Sequence, residues 1–557
     1  MLGTSMRPSR IPVLVAFACV GGIASGQTTY KASLGPGGMQ SDDVSTYSAV
    51  SDDGNVIAIQ SYANTFASGD TKGTFDIFVR DVAADTLECL SLSTSGVPGT
   101  GSSVDPHVSA DGRYVAFVSD APSLVPNDTN GTYDVFWFDR QTATLRRVSV
   151  DSSGGEGIYG GYEARLSKDG QLVMFSSYSD TLVANDTNGT IDVFLHDVAT
   201  GTTERISTGT TGNEGSDASF SGGLSFDHRY AVFASYANDL DPLDANPGGD
   251  VFVKDRQTGT LTLVSLDSSG AAANDSSFYS TISGDGQVVA FVSYATNLVA
   301  GDTNGQNDVF VRDLPTGVTT RASVSDDGTK SGYDCYYPIL SEDGRYVAFP
   351  SGADLIPGTR RFRKTVFVRD LLLGFMTSPA VDANGEFTAG ESDRIAMSSD
   401  GRFTSFSCDR DDLVAGDTNR LMDVFVHDMP LTAASSTNFG TGLAGTNGIP
   451  SLTSTLPLLA TDCTVTIGNS LGATTPAVIF LGDTAGTIPT NLGHDILLIP
   501  QILMPLALPP SGLSFTEAVP ADEFLTGAVV YLQVLEIDPG ALKGVSFTPR
   551  LDLTIGR

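Results

Sequence analysis

Acidic and amide side chains recur at a fixed spacing in loops along most of the chain. These loops read Asp-Thr-Asn-Gly or a close variant, and a second Asp follows the first by six positions, as in Asp128 and Asp134. Oxygen ligands at alternating positions on a bend that glycine permits suit Ca²⁺. The predicted calcium residues are Asp70, Asp76, Asp128, Asn130, Asp134, Asp186, Asn188, Asp192, Asp302, Asn304, Asp308, Asp417, Asn419 and Asp423.

The same loops also fit plain turn chemistry. Position one of a calcium loop falls on Ser, Pro or Ala here, and no Glu stands at position twelve, so much of the usual ligand set is missing. Asp and Asn side chains also accept hydrogen bonds from nearby backbone amides, and Asn-Gly tolerates left-handed conformations. Calcium sites and structural turns are therefore two open interpretations of these loops.

One stretch of the chain carries bases where the other loops carry acids. Arg360, Arg361, Arg363 and Lys364 form a basic loop, and Thr365 stands where the second Asp would be. Four positive charges in an acidic chain are a candidate site for an anionic glycan or an acidic partner, which the resulting dipole would orient. The alternative is a solvated insertion that binds no ligand.

Histidine and serine patterns offer further candidates for chemistry. His107 precedes a strand that we expect to line a central channel, so it is a candidate ligand-binding residue. His196 and His427 take a position that holds Arg in other repeats, and we expect them on the surface. Gly468 to Gly472 match G-x-S-x-G, but an apolar strand pattern follows where a nucleophile elbow needs a helix, so we reject that interpretation.

An internal repeat supplies the elements that must position these residues. The glycines of successive S-x-D-G turns stand 58 residues apart, as in Gly112 and Gly170, or Gly286 and Gly344. Each repeat has four short runs of alternating apolar residues, which predict four strands, a to d, and no helix-length amphipathic stretch. A four-stranded unit of this kind is typical of one blade of a β-propeller.

The number of repeats predicts an all-β, seven-bladed β-propeller that closes on its own N-terminal strand. Seven a–b–c triplets are followed by only six d strands, and residues 28–35 resemble the missing one, which would complete the blade that begins near Arg394. This exchange pairs two otherwise open strand edges. Loops b–c and d–a then share one face, where we expect a protein or a glycan to bind.

The motif S-x-D-G-x-x-[IV]-A-F is the basis of a resemblance to a known family. It occurs at Ser109–Phe117, Ser283–Phe291 and Ser341–Phe349. In these segments the chain resembles the TolB-type, WD-repeat-like β-propellers. The resemblance implies the fold but says little about function, because such propellers host binding proteins, peptidase accessory domains and a few lyases.

The residues before and after the repeats have a different composition from the repeats. Arg7 and Arg10, an apolar stretch and small residues before Gln27 predict a signal peptide over 1–26, and hence export to the periplasm or the extracellular space. The propeller is predicted over 27–430, a linker over 431–438 and a small β-sandwich-like domain over 439–557. No other apolar run approaches the roughly 20 residues of a transmembrane segment.

The number and spacing of the cysteines exclude a disulfide framework and a zinc site. The predicted mature chain has four cysteines, too few for a disulfide framework and without the CxxC spacing of a zinc site. Their pairing is left open; they are Cys89, Cys335, Cys408 and Cys463.

The net charge of the chain and the repetition of most of its acids reduce the number of possible functions. The net charge of −34 argues against a nucleic-acid partner. We expect an exported, non-enzymatic propeller that binds protein or carbohydrate, with calcium as an optional stabilising ion. The alternative is a polysaccharide lyase or glycosidase that uses channel-mouth carboxylates found in single repeats, Glu163, Glu342 and Glu391. A structural surface protein is a third interpretation.

Overall fold

The computed structural model describes residues 28–555, with gaps at 68–72, 94, 245, 326–327, 329–331, 357–363, 373, 383–389, 393, 430–434, 440, 456–461, 483, 491–494, 501 and 519–528. The regular structure of this part is strand throughout, apart from a 3-10 helix over Pro36–Gly38, so the all-β prediction is confirmed. No helix in it is long and apolar enough to cross a membrane. The chain divides into a unit over Thr28–Met429 and a unit that includes Pro430–Arg557.

Three short strands begin the first unit. They are β1 (Thr28–Lys31), β2 (Leu34–Gly35) and β3 (Met39–Gln40). Strands β2 and β3 pair with each other around the 3-10 helix, whereas β1 pairs with a strand almost 400 positions later in the chain, in the register Thr28 to Asp428.

Seven four-stranded antiparallel sheets follow in the described residues, one from each repeat. Sheets 1 and 2 contain β4 (Ser45–Val50), β5 (Val56–Ser61), β6 (Asp76–Asp81), β7 (Thr86–Cys89), β8 (Ser103–Val108), β9 (Tyr114–Ser119), β10 (Asp134–Asp139) and β11 (Thr144–Arg147). Sheets 3 and 4 contain β12 (Tyr162–Leu166), β13 (Leu172–Ser177), β14 (Asp192–Asp197), β15 (Thr202–Arg205), β16 (Ser219–Leu224), β17 (Tyr230–Ser235), β18 (Asp250–Asp255) and β19 (Leu261–Leu263).

The last three sheets have the same order of strands. Sheets 5 and 6 contain β20 (Ser277–Ile282), β21 (Val288–Ser293), β22 (Asp308–Asp313), β23 (Val318–Arg321), β24 (Ile339–Leu340), β25 (Tyr346–Ser351), β26 (Thr365–Asp370) and β27 (Met376–Thr377). Sheet 7 contains β28 (Ile395–Met397), β29 (Phe403–Cys408) and β30 (Asp423–Asp428), and its fourth strand is β1.

A pair of phenylalanines holds the two middle strands of most sheets together. In sheet 2, Phe117 of β9 stands opposite Phe136 of β10, and both side chains are fully buried. Equivalent pairs occur in sheets 2 to 7, with ring centroids 5.6 to 6.1 Å apart. Such cross-strand aromatic pairs stabilise a sheet beyond the area they bury.

The S-x-D-G turn joins the first and second strands of each sheet. In sheet 2, Ser109 Oγ donates to Asp111 Oδ1 at 2.6 Å and accepts from the Tyr114 backbone amide at 2.9 Å. Gly112 has φ +70°, and a Cβ there would lie 2.5 Å from Val56 of the preceding sheet, so both conformation and space require glycine. His228 adopts the same left-handed conformation, with φ 61°, in sheet 4.

Apolar clusters join each sheet to the next. Six clusters of buried residues connect sheets 1 to 2, 2 to 3, 3 to 4, 4 to 5, 5 to 6 and 6 to 7. A seventh cluster joins sheet 7 back to sheet 1, where Val424 and Val426 of β30 pack with Ile57 and Ile59 of β5. Removal of this apolar surface from water is the main force that holds the sheets side by side.

The described strands of the second unit form three sheets. A six-stranded sheet contains β31 (Ser435–Phe439), β34 (Thr475–Gly482), β37 (Ile502–Leu508), β39 (Val529–Ile537), β40 (Val545–Phe547) and β41 (Arg550–Thr554). A three-stranded sheet and a hairpin contain β32 (Leu452–Ser454), β33 (Asp462–Ile467), β38 (Leu513–Ala518), β35 (Thr484–Ile488) and β36 (Ile496–Ile499).

Two local findings in this unit bear on the sequence predictions. Residues 435–438 were assigned to a linker, but they lie in β31 and pair with β41, because backbone pairing does not require large side chains. The G-x-S-x-G segment that ends at Gly472 is followed by strand β34 and not by a helix.

Candidate functional site

The first strands of the seven sheets surround a cavity of about 930 Å³. Among the residues that line it is one from each sheet at the equivalent position of the repeat. In sheets 1, 2, 3 and 5 a register shift of the strand includes this residue, and in sheet 4 the shift follows it, at Gly222. Such bulges redirect a side chain. The seven residues are Tyr47, Asp105, Glu163, Ser221, Tyr279, Tyr337 and Arg394.

The backbone is strained at this position. Asp105, Glu163, Tyr279 and Tyr337 have φ values of 53°, 52°, 49° and 42°, in the left-handed region that residues other than glycine rarely adopt. Strain of this kind persists only where the surroundings hold it, and it clusters at ligand sites. Five residue types occupy the seven positions, and three of the seven are tyrosines, whereas the phenylalanine pairs and the turns repeat. The symmetry of the repeat is therefore broken at the cavity.

One side of the cavity is aromatic and cationic. The ring centroids of Tyr279 and Tyr337 are 4.4 Å apart. Arg394 Cζ lies 3.7 Å from the Tyr337 centroid and 4.3 Å from the Tyr47 centroid, so the guanidinium is held between two rings. Cation–π contacts of this kind are worth more where water is excluded, and they fix the orientation of the rings.

Further tyrosines extend this side to the rim of the cavity. Tyr236 and Tyr294 line it and are each 43% exposed, and Tyr279 is 41% exposed. Each tyrosine presents an apolar ring and a polar hydroxyl at the same surface. The rim therefore offers ring faces and hydrogen-bonding groups to a ligand.

The opposite side of the cavity is polar. Arg165 Nη1 lies 3.5 Å from Asp105 Oδ2 and 3.1 Å from His107 Nε2. Glu163 accepts a hydrogen bond from Ser176 Oγ at 3.1 Å. Burial is the main cause that raises the pKa of Glu163, and the nearby Arg165 guanidinium opposes it.

His107 stays neutral near pH 7 because of the same surroundings. Burial in the channel, and after it the positive charge of Arg165, lowers the pKa of His107 to about 4. A neutral imidazole next to Arg165 and Asp105 can donate or accept a hydrogen bond, but it adds no charge to the cavity.

An ion pair lies deeper in the cavity. Lys168 Nζ is 3.7 Å from Glu342 Oε1, and burial raises the pKa of Glu342. Three basic and three acidic side chains thus line the cavity, so its charge is balanced although the chain as a whole is strongly acidic. They are Arg165, Lys168, Arg394, Asp105, Glu163 and Glu342.

The structure places the predicted ligand-binding and catalytic residues as follows. His107, Glu163 and Glu342 line the cavity, whereas Glu391 is exposed and does not line it. The basic-loop residues Arg360, Arg361 and Arg363 lie outside the described residues, and Lys364 Nζ lies 4.8 Å from the Tyr336 ring centroid. Arg394 and the individual tyrosines are not among the predicted residues. The signal for them is a position that varies between repeats whose turns and phenylalanines are regular.

The predicted calcium residues of four sheets surround a basic side chain. In sheet 2, Arg147 Nη1 lies 3.7 Å from Asp128 Oδ1 and 3.4 Å from Asp134 Oδ2, and it donates to Glu156 Oε1 at 2.5 Å. The acid atoms of this group lie within 4.8 Å of one another, close enough for a metal, but the guanidinium stands among them.

Three other sheets repeat this arrangement. In each, the last residue of the fourth strand is basic and lies 2.7 to 3.4 Å from two Asp carboxylates. The groups are Arg205 with Asp186 and Asp192, Arg321 with Asp302 and Asp308, and Lys31 with Asp417 and Asp423. The cation of these four clusters is thus supplied by the chain itself, and burial still raises the pKa of Asp186 to about 6.

The asparagine side chains of these loops form hydrogen bonds within the turns. Asn130 Nδ2 donates to Asp134 Oδ2 at 3.0 Å, and its Oδ1 accepts from the Thr132 amide at 3.0 Å. Asn188 and Asn304 make the same bonds to the second Asp of their loops, whereas Asn419 Nδ2 donates to the Ser41 carbonyl at 3.3 Å. The amide oxygens are used within the turn, as the alternative to calcium predicts.

In sheet 1 the structure describes only the second of the two predicted calcium residues. Asp70 lies outside the described residues, and Asp76 is fully buried and accepts from Ser91 Oγ at 2.5 Å. The sequence analysis missed the basic residues at the ends of the fourth strands. The signal that reveals them is an Arg 13 positions after the second Asp, as Arg147 follows Asp134.

Two other predictions on single residues can be compared with the structure. His196 and His427 were expected on the surface, but they are 5% and 2% exposed. Each packs beside a threonine of the neighbouring strand, with His196 Nδ1 2.9 Å from Thr203 Oγ1 and His427 Nδ1 2.8 Å from Thr29 Oγ1, so an imidazole is accommodated where a long base was expected to extend into water. No disulfide joins the four described cysteines.

Comparison with known proteins reveals similarity only at the level of remote structures. No protein-family model and no curated protein matches the sequence. A putative TolB from Agrobacterium tumefaciens is 16% identical over 54% of this chain and 87% of its own, with a TM-score of 0.35. A chain of a mitotic checkpoint complex (11%, TM-score 0.37) and the Dos1 propeller (12%, TM-score 0.38) each cover 72% of this chain and 94% of their own. At these values the similarity carries no argument about function.

Proposed function

We propose that residues 28–429 form a single closed β-propeller of seven blades, and that its central cavity binds a glycan without cleaving it. Seven four-stranded sheets, the pairing of β1 with β30, and the apolar cluster between sheets 7 and 1 support the closed ring. The signal-peptide pattern supports export of the chain, and the sheets after residue 434 support a β-sandwich.

The observation that carries the glycan proposal is the row of Tyr279, Tyr337, Arg394 and Tyr47 in the cavity. Sugar rings combine apolar C–H faces with many hydroxyls. Tyrosine rings match the faces, and the balanced set of acids and bases opposite them matches the hydroxyls. The cation–π contacts hold the rings in place before a ligand arrives, which reduces the entropy lost on binding.

The size of the cavity favours a short saccharide segment over a protein surface. Small-molecule sites typically enclose about 300 to 1,000 Å³, and the volume of about 930 Å³ falls within that range. Rim tyrosines that are more than 40% exposed leave room for a chain to continue out of the cavity. A glycan end or a short internal stretch is therefore the proposed ligand.

The test is a glycan array probed with the purified chain, followed by titration calorimetry with the strongest oligosaccharide. Tyr279→Ala removes an exposed ring from the cavity, and we expect at least tenfold weaker binding, which corresponds to about 1.4 kcal/mol. The matched control is Tyr159→Ala, because Tyr159 is 56% exposed and does not line the cavity. Equal losses in both variants, or no glycan binding by the unaltered chain, would contradict the proposal.

A glycoside hydrolase is the second candidate, favoured by one observation. Glu163 lines the same cavity, and its burial raises its pKa, which is the direction of shift that a general acid requires. If this candidate is correct, the unaltered chain releases reducing ends from the bound oligosaccharide, and Glu163→Gln binds it without release. Binding without any release by the unaltered chain leaves the non-enzymatic proposal.

A further inference from the structure

Sheet 4 keeps the buried acids of the Asp loops but lacks the basic residue that the equivalent loops have. The fourth-strand position of Arg147, Arg205 and Arg321 is Leu263 in this sheet, where it joins the apolar core. The Glu that follows Arg147 and Arg205 by nine positions is replaced by Ala272. The cation and the third acid of the cluster are thus both missing from the same repeat.

The two remaining carboxylates are deeply buried. Asp250 is 0% exposed and accepts hydrogen bonds from Ser265 Oγ at 2.5 Å and from Asn246 Nδ2 at 2.7 Å. Asp244 is 7% exposed, and no donor of the described residues reaches its carboxylate oxygens in good hydrogen-bond geometry, although the Asn246 amide lies near them. An unpartnered polar group in such a place is destabilising by about 1 to 3 kcal/mol, and by more when it is charged.

Asp244 faces Asp250. Burial, and after it the charge of Asp244, raises the pKa of Asp250, and the two carboxyls are close enough to share one proton and to repel each other when both are charged. Asp241 adds further negative charge beside Asp244. No ion pair to Asp244 or Asp250 occurs in the described part of the chain, in contrast to the equivalent acids of sheets 2, 3, 5 and 7.

We propose that sheet 4 binds one Ca²⁺ between Asp244 and Asp250, where sheets 2, 3, 5 and 7 hold an internal Arg or Lys. Two carboxylates supply hard oxygen ligands and two negative charges, which match a divalent ion. A backbone carbonyl is also available, because the carbonyls of Asn127 and Asn185 accept from the arginines of sheets 2 and 3, and the equivalent residue is Leu243. Water completes the coordination, and Ca²⁺ tolerates such an irregular shell better than Mg²⁺ does.

This inference does not depend on the glycan proposal, because the site lies in one blade and shares no residue with the central cavity. It also separates the sheet 4 loop from the predicted calcium loops of sheets 2, 3, 5 and 7, whose cation the chain supplies. Sheet 1 has Cys89 at the position of the base, but its Asp70 lies outside the described residues. The repeats in which Arg or Lys stands among the acids do not take part in it.

The test is titration calorimetry of the purified, EDTA-treated chain with CaCl₂ and, separately, with MgCl₂ at pH 7.5. We expect one Ca²⁺ per chain and at least tenfold weaker binding of Mg²⁺. Asp244→Asn should weaken Ca²⁺ binding at least tenfold. Leu263→Arg should abolish it while the chain stays folded, because this substitution restores the internal cation of the other sheets.

The matched control is Asp302→Asn, which changes the equivalent acid beside Arg321 and should leave Ca²⁺ binding unaltered. Hydrogen exchange locates the site without any substitution, since Ca²⁺ should slow exchange in the segment 241–250. No binding up to about 10 mM CaCl₂, well above the dissociation constants of extracellular calcium modules, would overturn the proposal. Binding that survives both Asp244→Asn and Leu263→Arg would overturn it as well.

Discussion

At the scale of single residues, the chemistry of the cavity comes from one position of the repeat. Asp105, Glu163, Tyr279 and Arg394 stand at equivalent places in four sheets, yet they differ in size and charge. A ligand without the symmetry of the repeat would require such differences, so the variation supports the proposed glycan site.

Acids of this protein differ in the direction in which the fold shifts their pKa. Arg113 donates from Nε and Nη2 to Asp139 at 2.9 and 2.8 Å, and these bonds hold the pKa of Asp139 well below its usual range. The pair contributes stability that is complete above the unfolded carboxyl pKa of about 3.9. This stability is lost as the pH falls toward the lower folded value.

We therefore expect Asp139→Asn to lower the melting temperature at pH 7 and to have a smaller effect at pH 3. Differential scanning calorimetry at the two pH values measures the change. Asp197→Asn is the control, because Gln171 stands there in the place of Arg113, and its effect should not depend on pH in the same way. A loss at pH 3 as large as that at pH 7 would show that the Arg113 pair is not its cause.

At the scale of elements, the repeat predicts most of what the strands do. The 58-residue period, the S-x-D-G turn and the alternating runs predict four strands per repeat, and the described sheets have them. Side-chain partners across strands could not be predicted in the same way. Arg147 reaches Asp128 and Asp134 only because β11 pairs beside β10, and that register follows from tertiary pairing, not from local sequence.

The bulges in the first strands also escaped prediction. Left-handed backbone at Glu163 or Tyr279 has no signature in residue type, since nothing in a Glu or a Tyr favours φ near 50° within a strand. The prediction that His196 and His427 lie on the surface was wrong for a related reason. This strand position is buried in other sheets as well, where it holds Arg80, Lys254 or Arg312, and a pattern within one strand does not reveal that burial.

The strand that pairs the two ends of the first unit depends on a buried ion pair. Lys31 of β1 is 7% exposed, and its Nζ lies 3.0 Å from Asp417 Oδ1 and 2.7 Å from Asp423 Oδ2. Lys31→Met leaves two buried acids without their cation, so we expect the free energy of unfolding to fall by about 3 to 5 kcal/mol. Denaturant unfolding followed by circular dichroism measures this loss.

Arg147→Met is the matched control for this variant, because it removes the equivalent cation from sheet 2. Both variants should be destabilised, but only Lys31→Met should speed amide hydrogen exchange in β30, which pairs with β1. Equal protection of β30 in the two variants would mean that Lys31 does not hold β1 against the last sheet.

At the scale of the whole molecule, the net negative charge of the chain lies outside the cavity in which we propose that a glycan binds. The chain carries a net charge of −34, whereas the cavity holds acids and bases in equal number. An acidic exterior keeps a protein soluble and repels anionic surfaces, and a balanced cavity accepts a neutral polar ligand without a large electrostatic cost. This division agrees with a propeller that acts as a receptor for a glycan.

The crystal structure of the chain with its strongest array oligosaccharide tests the central claim most directly. The account predicts electron density for a sugar ring in the central cavity, stacked on Tyr279 or Tyr294 and hydrogen-bonded to the side of Glu163 and Arg165. Density at another surface, with the cavity occupied by solvent alone, would contradict the account.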